Sequence, residues 1–390
     1  MKQGWEIRKL GEVCENVSNI NWKTISLDTK FPYIDLSAVD IDNSNIDDFE
    51  YINKDNAPSR AKQIVNTGDV IFATTRPLLK RVCVITKSFN NAIASTGFCV
   101  LRPKGKVVSK WIYYILKSDS FYIYIEPLQK GISYPAVSDN EVKNFSIPVP
   151  PLAEQEHIVA ELDLLSGIIE KQKQQLKEYD TLAQSIFYTM FGDIECNKGY
   201  EIKTLVEICE LITDGTHQTP IYTDDYINGY KFLSAKDVVE GIINWDNIKY
   251  IPKELHETLY ARLAPRRGDL LLCKNGTTGI CALVETDEIF DIYVSLALLR
   301  LHNNICAKYM LYAINSKGTK RQFDDSLKGV GVPNLHLSEI RKTLIIFPPL
   351  SLQQEFAEKI EAIEKQKELV KQSLAEAETL FNSRMDYYFN

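Results

Sequence analysis

The sequence contains no long apolar run, no cysteine pair at metal-binding spacing and no secretion signal. Without about 18 consecutive apolar residues, no membrane span is expected, and the opening residues MKQGWEIRKL lack the apolar core of a signal peptide. The eight cysteines form no CxxC pair and the five histidines show no zinc spacing. We therefore expect a cytoplasmic protein whose thiols are reduced and packed like small apolar side chains, with no metal site.

Signatures of catalysis are also missing. There is no GxxxxGK[ST] phosphate loop, no Gly-rich cofactor loop and no Asn/Asp-Pro-Pro-aromatic motif of a methyltransferase. The Glu-Val-Lys triplet at 141–143 could be mistaken for a nuclease acid–lysine pair. Its counterpart in the second half, Glu-Ile-Arg at 339–341, indicates a structural turn before a strand instead. No Ser/His/Asp or Cys/His set recurs at positions that would indicate a catalytic site, so we predict no catalytic residues.

What the sequence does have is the composition of a soluble globular protein and an uneven distribution of charge. Its 390 residues are 45% hydrophobic and 25% charged, and this length suggests two or more domains. The net charge is −7, yet residues 1–150 carry 19 basic and 16 acidic groups, whereas residues 151–199 carry 4 and 9. The total charge therefore decides little about nucleic-acid binding.

The chain is a tandem repeat with a period of about 195–200 residues, which indicates a domain duplication. The repeated stretches are WEIRKL (5–10) and YEIKTL (200–205), NTGDVIFATT (66–75) and RRGDLLLCKN (266–275), SKWIYYILKSD (109–119) and AKYMLYAINSK (307–317), and GISYPAVSDNEVKNFSIPVPPLAEQ (131–155) and GVGVPNLHLSEIRKTLIIFPPLSLQ (329–353). The Gly-Asp turns predict buried strands, and the stretches at 109–119 and 307–317 predict short amphipathic helices. Each repeat is typical of an α/β module followed by one long helix.

Heptad spacing predicts a long helix at 152–191 and another at 350–389, each introduced by Pro-Pro-Leu. The apolar seams are Ile158, Leu162, Leu165, Ile169, Gln172, Leu176, Tyr179, Ala183, Ile186 and Met190, and Phe356, Ile360, Ile363, Lys367, Val370, Leu374, Ala377, Phe381, Arg384 and Tyr388. Gln172, Lys367 and Arg384 interrupt these seams, either as defects or as polar keys that fix the register.

The predicted fold is a tandem pair of α/β (α+β) heads joined by the two helices. We divide the chain into a first head at 1–149, a first helix at 150–193, a second head at 194–347 and a second helix at 348–390. Because duplicated units usually meet across a pseudo-two-fold axis, we expect the helices to run antiparallel as a coiled-coil spacer in an elongated dumbbell. At 1.5 Å per residue each helix is about 60 Å long.

Polar and basic loops are the remaining candidates for function, because Arg, Lys, Asn, Ser and Thr side chains pair with base edges and phosphates. The loops at 74–81 and 274–279 stand at matching places in the two repeats, which favours a binding role over ordinary solvated turns. The candidate DNA-binding residues are Thr74, Thr75, Arg76, Lys80, Arg81, Ser95 and Thr96 in the first head, and Asp214, Thr216, His217, Thr219, Tyr222, Lys274, Asn275, Thr277 and Thr278 in the second.

The sequence resembles the DNA-specificity subunits of Type I restriction–modification systems over essentially its whole length. The stretches that carry this resemblance are PPLAEQ (150–155), PPLSLQQ (348–354), GDVIFATTRP (68–77) and DGTHQTPIY (214–222). The resemblance implies that the heads are target recognition domains for a split, asymmetric DNA site and that the helices set its gap. One departure is that the first head has Ser-Asn-Ile-Asn at 18–21 where the second has DGTHQTPIY, so a base-reading role there does not transfer between heads.

The resemblance also implies partners: two methyltransferase (modification) subunits, two restriction subunits when these are present, and double-stranded DNA. S-adenosylmethionine, and ATP with Mg²⁺ for restriction, would then belong to the partners and not to this chain. The expected partner-binding or spacer residues are Gln155, Ile158, Leu162, Leu165, Ile169 and Leu176, and Gln353, Phe356, Ile360, Ile363, Val370 and Leu374. Two other interpretations remain open: a DNA-binding or architectural protein that acts alone, and a protein-binding coiled-coil scaffold without DNA preference.

Overall fold

The computed structural model describes residues 4–41, 43–327 and 333–390. Residues 1–3, position 42 and the start of the last repeated stretch, at 329–332, lie outside the described residues. The chain divides into two compact units, one containing the chain up to Gln175 together with Val370–Asn390, and the other containing Leu176–Leu369. Each unit therefore contains one head, half of one long helix and half of the other.

In the first head, most of the short strands precede the helices, and β10 lies between α3 and α4. The strands are β1 (Glu6–Lys9), β2 (Cys14–Glu15), β3 (Phe31–Ile34), β4 (Glu50–Ile52), β5 (Ala61–Val65), β6 (Val70–Ala73), β7 (Val82–Val84), β8 (Ala92–Ser95), β9 (Phe98–Pro103) and β10 (Ser146–Val149). The helices are α1 (Ser109–Lys117), α2 (Asp119–Ile125), α3 (Asp139–Lys143) and the long α4 (Leu152–Phe191). The amphipathic helix predicted at 109–119 is confirmed.

The strands of the first head form two larger sheets and a closing pair. One sheet has the antiparallel order β2–β9–β6–β7, and the other has the order β4–β3–β8–β5, in which β3 and β8 run parallel. Strand β1 pairs antiparallel with β10, with Glu6 opposite Val149. This pair joins the beginning of the head to the strand that leads into α4.

The second head repeats this arrangement. Its strands are β11 (Glu201–Thr204), β12 (Cys209–Asp214), β13 (Tyr230–Leu233), β14 (Val238–Val239), β15 (Ile242–Ile243), β16 (Lys249–Ile251), β17 (Leu270–Cys273), β18 (Cys281–Leu283), β19 (Phe290–Ile292), β20 (Leu296–Leu301) and β21 (Leu344–Phe347). Its helices are α5 (Leu205–Ile208), α6 (Lys253–Arg262), α7 (Ala307–Ile314), α8 (Lys317–Asp325), α9 (Leu337–Lys342) and the long α10 (Leu350–Phe389). The orders β12–β20–β17–β18, β16–β13–β19 and β11–β21 correspond to the sheets of the first head.

The central strands β6 and β17 are buried on both faces. Val70 and Phe72 pack into the core that contains Trp111 of α1, whereas Ile71 and Ala73 face a second core. Residues of β17 divide between two cores in the same way. A strand covered on both sides needs apolar residues at every position, which explains the uninterrupted runs VIFA and LLLC after the Gly-Asp turns.

The Gly-Asp turn is a structural device in both heads. Buried Asp69 accepts hydrogen bonds from Arg102 Nε and Nη2 at 2.8 and 2.7 Å, and Asp269 accepts the same pair from Arg300 at the same distances. These hydrogen bonds raise the pKa of both arginines. The preceding Gly68 has a φ of 90°, which favours glycine. The repeated motif therefore fixes the central strand and is not a binding site.

The long helices begin where the Pro-Pro-Leu triplets predicted, and each start is held by a buried glutamine. Gln155 accepts from the amide of Val108 at 3.2 Å and donates to the carbonyls of Lys106 and Pro150, both at 2.8 Å. Gln353 accepts from the amide of Cys306 at 3.1 Å. Both side chains are fully buried at the start of the spacer helices, and their predicted part in partner binding stays a prediction. They anchor the helices to the heads.

In each unit the two long helices run antiparallel along the predicted seam. Ile158, Leu162 and Leu165 of α4 are buried, as are Phe356, Ile360 and Ile363 of α10. Ile169, Leu176, Val370 and Leu374, nearer the middle of the helices, are half-buried. The heptad spacing therefore predicted which helix face is covered.

The three polar interruptions of the seam all have partners on the facing helix. Gln172 donates to Ser373 Oγ at 2.6 Å, Lys367 forms an ion pair with Asp180, and Arg384 Nε lies 2.8 Å from Glu161 Oε1. A shift of one helix by a heptad would separate every one of these pairs. This arrangement supports the interpretation of these residues as keys that fix the register.

The seam departs from the prediction at the C-terminal end of each helix. There the buried residues are Phe187 and Phe191 in α4, and Met385 and Phe389 in α10, one position after the predicted Ile186, Met190, Arg384 and Tyr388. These residues leave the helix–helix interface to fill the core of a head, with Phe191 packing on Tyr309 and Phe389 on Trp111. Head packing overrides the heptad there.

The cysteines follow the expected pattern with one exception. Buried thiols occur at Cys14, Cys83, Cys99, Cys209, Cys273 and Cys281, a half-buried one at Cys306 and an exposed one at Cys196. Burial raises the pKa of Cys14 and of Cys209 to about 12, which keeps both thiols protonated. Within the described parts of the chain, none of the helices combines the length and the apolar character that a membrane crossing requires.

Candidate nucleic-acid interface

The loop after β6, residues 74–81, is held rigidly against the rest of the first head. The backbone amide and the hydroxyl of Thr74 both donate to the carbonyl of Gly97 at 2.8 Å. The amide of Arg76 donates to the carbonyl of Pro135 at 2.7 Å, and the amide of Val137 donates to the carbonyl of Thr74 at 3.0 Å. The loop therefore presents its exposed side chains from a fixed backbone.

Two cationic residues of this loop adopt a left-handed backbone conformation that usually belongs to glycine. The φ angle is 51° at Arg76 and 57° at Lys80, on either side of the turn Pro77–Leu79. In the second head the equivalent positions are Gly276 and Gly279, with φ angles of 79° and 81°. A non-glycine residue costs about 1–2 kcal/mol in this conformation. Such strain is typical of functional sites. In the first head, two positively charged residues occupy these strained positions.

Both cations rest on aromatic rings at the surface. The guanidinium carbon of Arg76 lies 4.9 Å from the ring centre of Tyr134. The ammonium of Lys80 lies 4.5 Å from the ring centre of Tyr122 and 3.9 Å from a carboxylate oxygen of Asp119. These contacts orient the charges while both side chains remain exposed.

The strain predicts that Arg76→Gly keeps or raises the stability of the first unit. Relief of the left-handed conformation should offset the lost cation–π contact and stabilise the fold by up to about 1 kcal/mol. The reciprocal change, Gly276→Arg, should destabilise the second unit by about 1 kcal/mol, although its side chain would enter open space.

Chemical denaturation of both variants measures these changes against the native chain. A loss of more than about 1 kcal/mol in Arg76→Gly would show that the arginine is a stabilising residue. In that case its left-handed conformation would have no functional meaning.

In the second head the structure joins two loops that the sequence leaves apart. Asp214, at the end of β12, forms a buried ion pair with Lys274, which follows β17. His217 Nε2 lies 3.3 Å from the other carboxylate oxygen of Asp214, and Arg262 donates to the Asp214 carbonyl at 3.0 Å. The amide of Leu335 donates to the carbonyl of Lys274 at 2.9 Å. The DGTH turn and the KNGTTG loop therefore form one surface.

Four of the predicted DNA-binding residues hold the loops in place from inside the heads. Thr74, Ser95, Asp214 and Lys274 are all buried. The first two lie beside the Gly97 turn, where Ser95 Oγ accepts from the Gly97 amide at 3.4 Å. The other two neutralise each other. Because these side chains are buried and bonded within the head, they position the loops, and their predicted contact with bases stays a prediction.

The other candidates remain accessible and keep their predicted role as a hypothesis. The exposed residues are Arg76, Lys80, Thr96, His217, Thr219, Tyr222 and Thr277, and the half-buried residues are Thr75, Arg81, Thr216, Asn275 and Thr278. Lys249, on β16, lies 4.0 Å from the ring centre of Tyr222 and adds a cation next to the DGTHQTPIY loop. Burial raises the pKa of Tyr222, so its hydroxyl stays protonated.

Sequence reasoning missed exposed apolar residues beside these loops and on the long helices. Tyr134 lies against Arg76 and Ile132 precedes it by two residues, and Ile221 and Ile227 follow the second-head turn. On the outer faces of the helices the exposed residues are Leu164, Ile168, Leu182, Leu369 and Leu380. The sequence could have indicated the helix residues, because a helix that packs on a single partner needs no apolar residues outside its heptad seam.

Within residues 4–41, 43–327 and 333–390, the structure contains no group of three or more His, Cys, Asp or Glu side chains placed to hold a metal ion. Glu141, in the first head, is a helix-capping residue. Its carboxylate accepts from the amide and the hydroxyl of Ser138 at 2.6 and 2.8 Å at the start of α3. These hydrogen bonds lower the pKa of Glu141, and the Glu-Val-Lys triplet belongs to the short helix α3 that precedes β10.

A family model for the Type I restriction modification DNA specificity domain matches this chain twice, at residues 2–178 and 197–379. The MjaIX specificity subunit of a type I restriction enzyme from Methanocaldococcus jannaschii is 25% identical over 286 residues, which span 68% of this chain and 65% of that relative. The EcoKI specificity subunit of Escherichia coli K12 is 21% identical, with 93% of this chain and 82% of that relative covered.

Solved structures show the same similarity. A chain from a study of complex assembly and conformational transition in the type I restriction–modification system is 26% identical and has a TM-score of 0.64. The match covers 100% of the present chain and 98% of that one. The similarity of fold therefore extends over the full length of this chain.

Proposed function

The chain belongs to the Type I restriction–modification DNA specificity family, and we propose that it is the subunit that recognises DNA sequence for its complex. In this proposal it directs methyltransferase subunits, and restriction subunits when present, to a split and asymmetric site. The observation that carries the proposal is that two equivalent scaffolds present different exposed side chains at the same loops. The first head has Arg76 and Lys80 where the second has Gly276 and Gly279. Each head would then read its own half-site.

The long helices would set the distance between the half-sites. Each is an uninterrupted helix of 40 residues that begins in one compact unit and ends in the other. Paired polar residues fix their register, and buried Gln155 and Gln353 anchor their starts. Half-sites about one turn of DNA apart, roughly 34 Å, present their major grooves on one side of the duplex. A rigid spacer would therefore select one gap.

The partner surface would lie on the outer faces of these helices, because the predicted seam residues are buried or half-buried against the facing helix. Leu182 and Leu380 are 198 residues apart, at the same place in the two repeats, and are 46% and 47% exposed. One such apolar position in each unit supports binding of two methyltransferase subunits in equivalent ways. Restriction subunits would join the assembled complex.

Methyl transfer would take place in these partners. S-adenosylmethionine, and ATP with Mg²⁺ for restriction, would be bound there, and this chain would contribute sequence recognition without catalysis. We also place the complex in the cytoplasm, where it would meet DNA. Of the two other interpretations, a DNA-binding protein that acts alone would bind its site tightly without partners. A coiled-coil scaffold would leave the strained cations of the first head unexplained.

The assembled complex carrying Arg76→Ala tests the proposal. We expect roughly tenfold weaker binding to DNA, since an arginine–base contact contributes about 1–3 kcal/mol of discrimination. The base preferences of the first half-site should relax, and those of the second should stay unchanged. Competition with oligonucleotides substituted in either half-site measures both effects.

The matched control is Arg8→Ala, which removes an exposed arginine of β1 that pairs with Glu6 at 2.9 Å. This control should leave every preference intact. An equal loss of affinity for all DNA in Arg76→Ala would indicate a phosphate contact and contradict base reading by the first head.

A further inference from the structure

Backbone hydrogen bonds hold a short hairpin, residues 130–136, beside the 74–81 loop. Lys130 and Ala136 exchange two backbone hydrogen bonds of 2.9 Å, and Gly131 opens the turn with a φ of 96°. A Cβ on Gly131 would lie 3.0 Å from the carbonyl oxygen of Tyr134, so this position requires glycine. The hairpin is bound to the neighbouring loop through the hydrogen bond from the Arg76 amide to Pro135.

The tip of this hairpin exposes apolar surface that the fold does not use. Ile132 is fully exposed and Tyr134 is 69% exposed. A fixed loop gains nothing in stability from an isoleucine in water, and a solvated turn normally carries polar residues. Apolar side chains held rigidly at a surface are typical of an interaction site.

The charges around the tip favour a polyanion as its ligand. The Arg76 guanidinium stacks on Tyr134, and Lys80 and Lys130 lie on the same loop pair. Lys130 Nζ lies 3.3 Å from Glu141, which caps α3, and Lys80 Nζ lies 3.9 Å from Asp119, so these two charges are partly balanced and the Arg76 guanidinium is the main cation beside the tip. An apolar tip with an arginine stacked on it matches a DNA groove, where apolar side chains contact bases and cations contact phosphates or base edges.

We propose that Ile132 and Tyr134 form a second base-contacting element of the first head, which enters a groove of the first half-site next to Arg76. This inference rests on the proposed function of the chain and adds specificity residues to it. The stacking of Arg76 on Tyr134 joins the two elements, so that the strained arginine and the aromatic ring present one surface to the DNA. In the second half of the sequence the aligned stretch is GVGVP, with Val332 in place of the tyrosine. The two heads therefore differ in sequence at this stretch.

The test uses the full chain assembled with its methyltransferase subunits and the double variant Ile132→Ser/Tyr134→Val. Because both side chains are exposed, the melting temperature should change by no more than about 2 °C. Affinity for DNA that contains the complete site should fall about fivefold or more. The modified motif should become less selective in its first half-site and stay unchanged in its second. Tyr134→Phe, which retains the ring beneath Arg76, should bind as the native complex does.

Ile7→Ser, at a half-exposed isoleucine of β1, is the matched control and should change neither affinity nor motif. If the native complex yields a split motif and the double variant yields the same motif with the same affinity, the inference is wrong while the proposed function stands. If the double variant impairs assembly with the methyltransferase subunits but keeps the motif, the tip contacts protein and the inference is again overturned. If the native complex has no sequence preference, the proposed function fails, and the inference fails with it.

Discussion

Replacing Phe389 with alanine is expected to destabilise the first unit by about 3–5 kcal/mol, the usual effect of removing a buried phenylalanine. The ring lies 4.8 Å from that of Trp111, within the core of the first head. The neighbouring backbone is tied to the same place, since Ser120 Oγ donates to the Phe389 carbonyl at 2.9 Å. The last turn of α10 thus completes a core that is otherwise built from the first half of the chain. The melting temperature of this unit should fall by about 10 °C.

The measurement is thermal unfolding followed by hydrogen exchange, which assigns each transition to its unit. Phe191→Ala is the matched control, because Phe191 fills the equivalent place in the second head against Tyr309. It should destabilise the second unit and spare the first. Leu380→Ala, at a half-exposed residue of the same helix, should have little effect on either unit. Equal destabilisation of both units by Phe389→Ala would contradict the division of the core.

Removing one heptad from each long helix should abolish modification at the native DNA site. Deletion of residues 169–175 and 370–376 keeps the apolar seam in register and takes out the Gln172–Ser373 pair. It shortens each helix by about 10 Å, which corresponds to roughly three base pairs of DNA. The half-sites that the shortened protein accepts should then be separated by a smaller gap.

Sequencing of modified bases in cells that express the shortened protein with its methyltransferase subunits measures the new gap. Lys171→Ala changes an exposed residue of the same segment and should leave the native gap intact. An unchanged gap after the heptad deletion, with the complex still assembled, would show that the length of the helices does not set the distance between the half-sites.

Much of this fold was predictable because its signals are local and occur twice. The steps of four and three residues located both long helices, and the two Gly-Asp turns located the buried strands β6 and β17. The repeat itself identified Glu141 as a structural residue, since Glu339 occupies the same place in the second half. Periodicity and turn chemistry depend on residues that are close in sequence, so a single sequence was enough to interpret them.

The candidate site was harder to predict because its geometry depends on residues far apart in sequence. Asp214 and Lys274 are separated by 60 residues and neutralise each other inside the head, which no local pattern indicates. The same holds for Phe389, which lies outside the predicted seam and whose ring belongs to the core around Trp111. The strain at Arg76 became visible only through its backbone angle. Sequence composition identified the loops correctly as polar but could not separate their exposed members from the buried ones.

The central claim is that this chain gives a methyltransferase its DNA sequence preference. Its most direct test is expression of the chain with the methyltransferase subunits of its system in cells free of other modification, followed by mapping of modified bases across the genome. We expect one split, asymmetric motif with a fixed gap, which appears only when the chain is present. Modification that is absent, or that follows the same motif without the chain, would contradict the account.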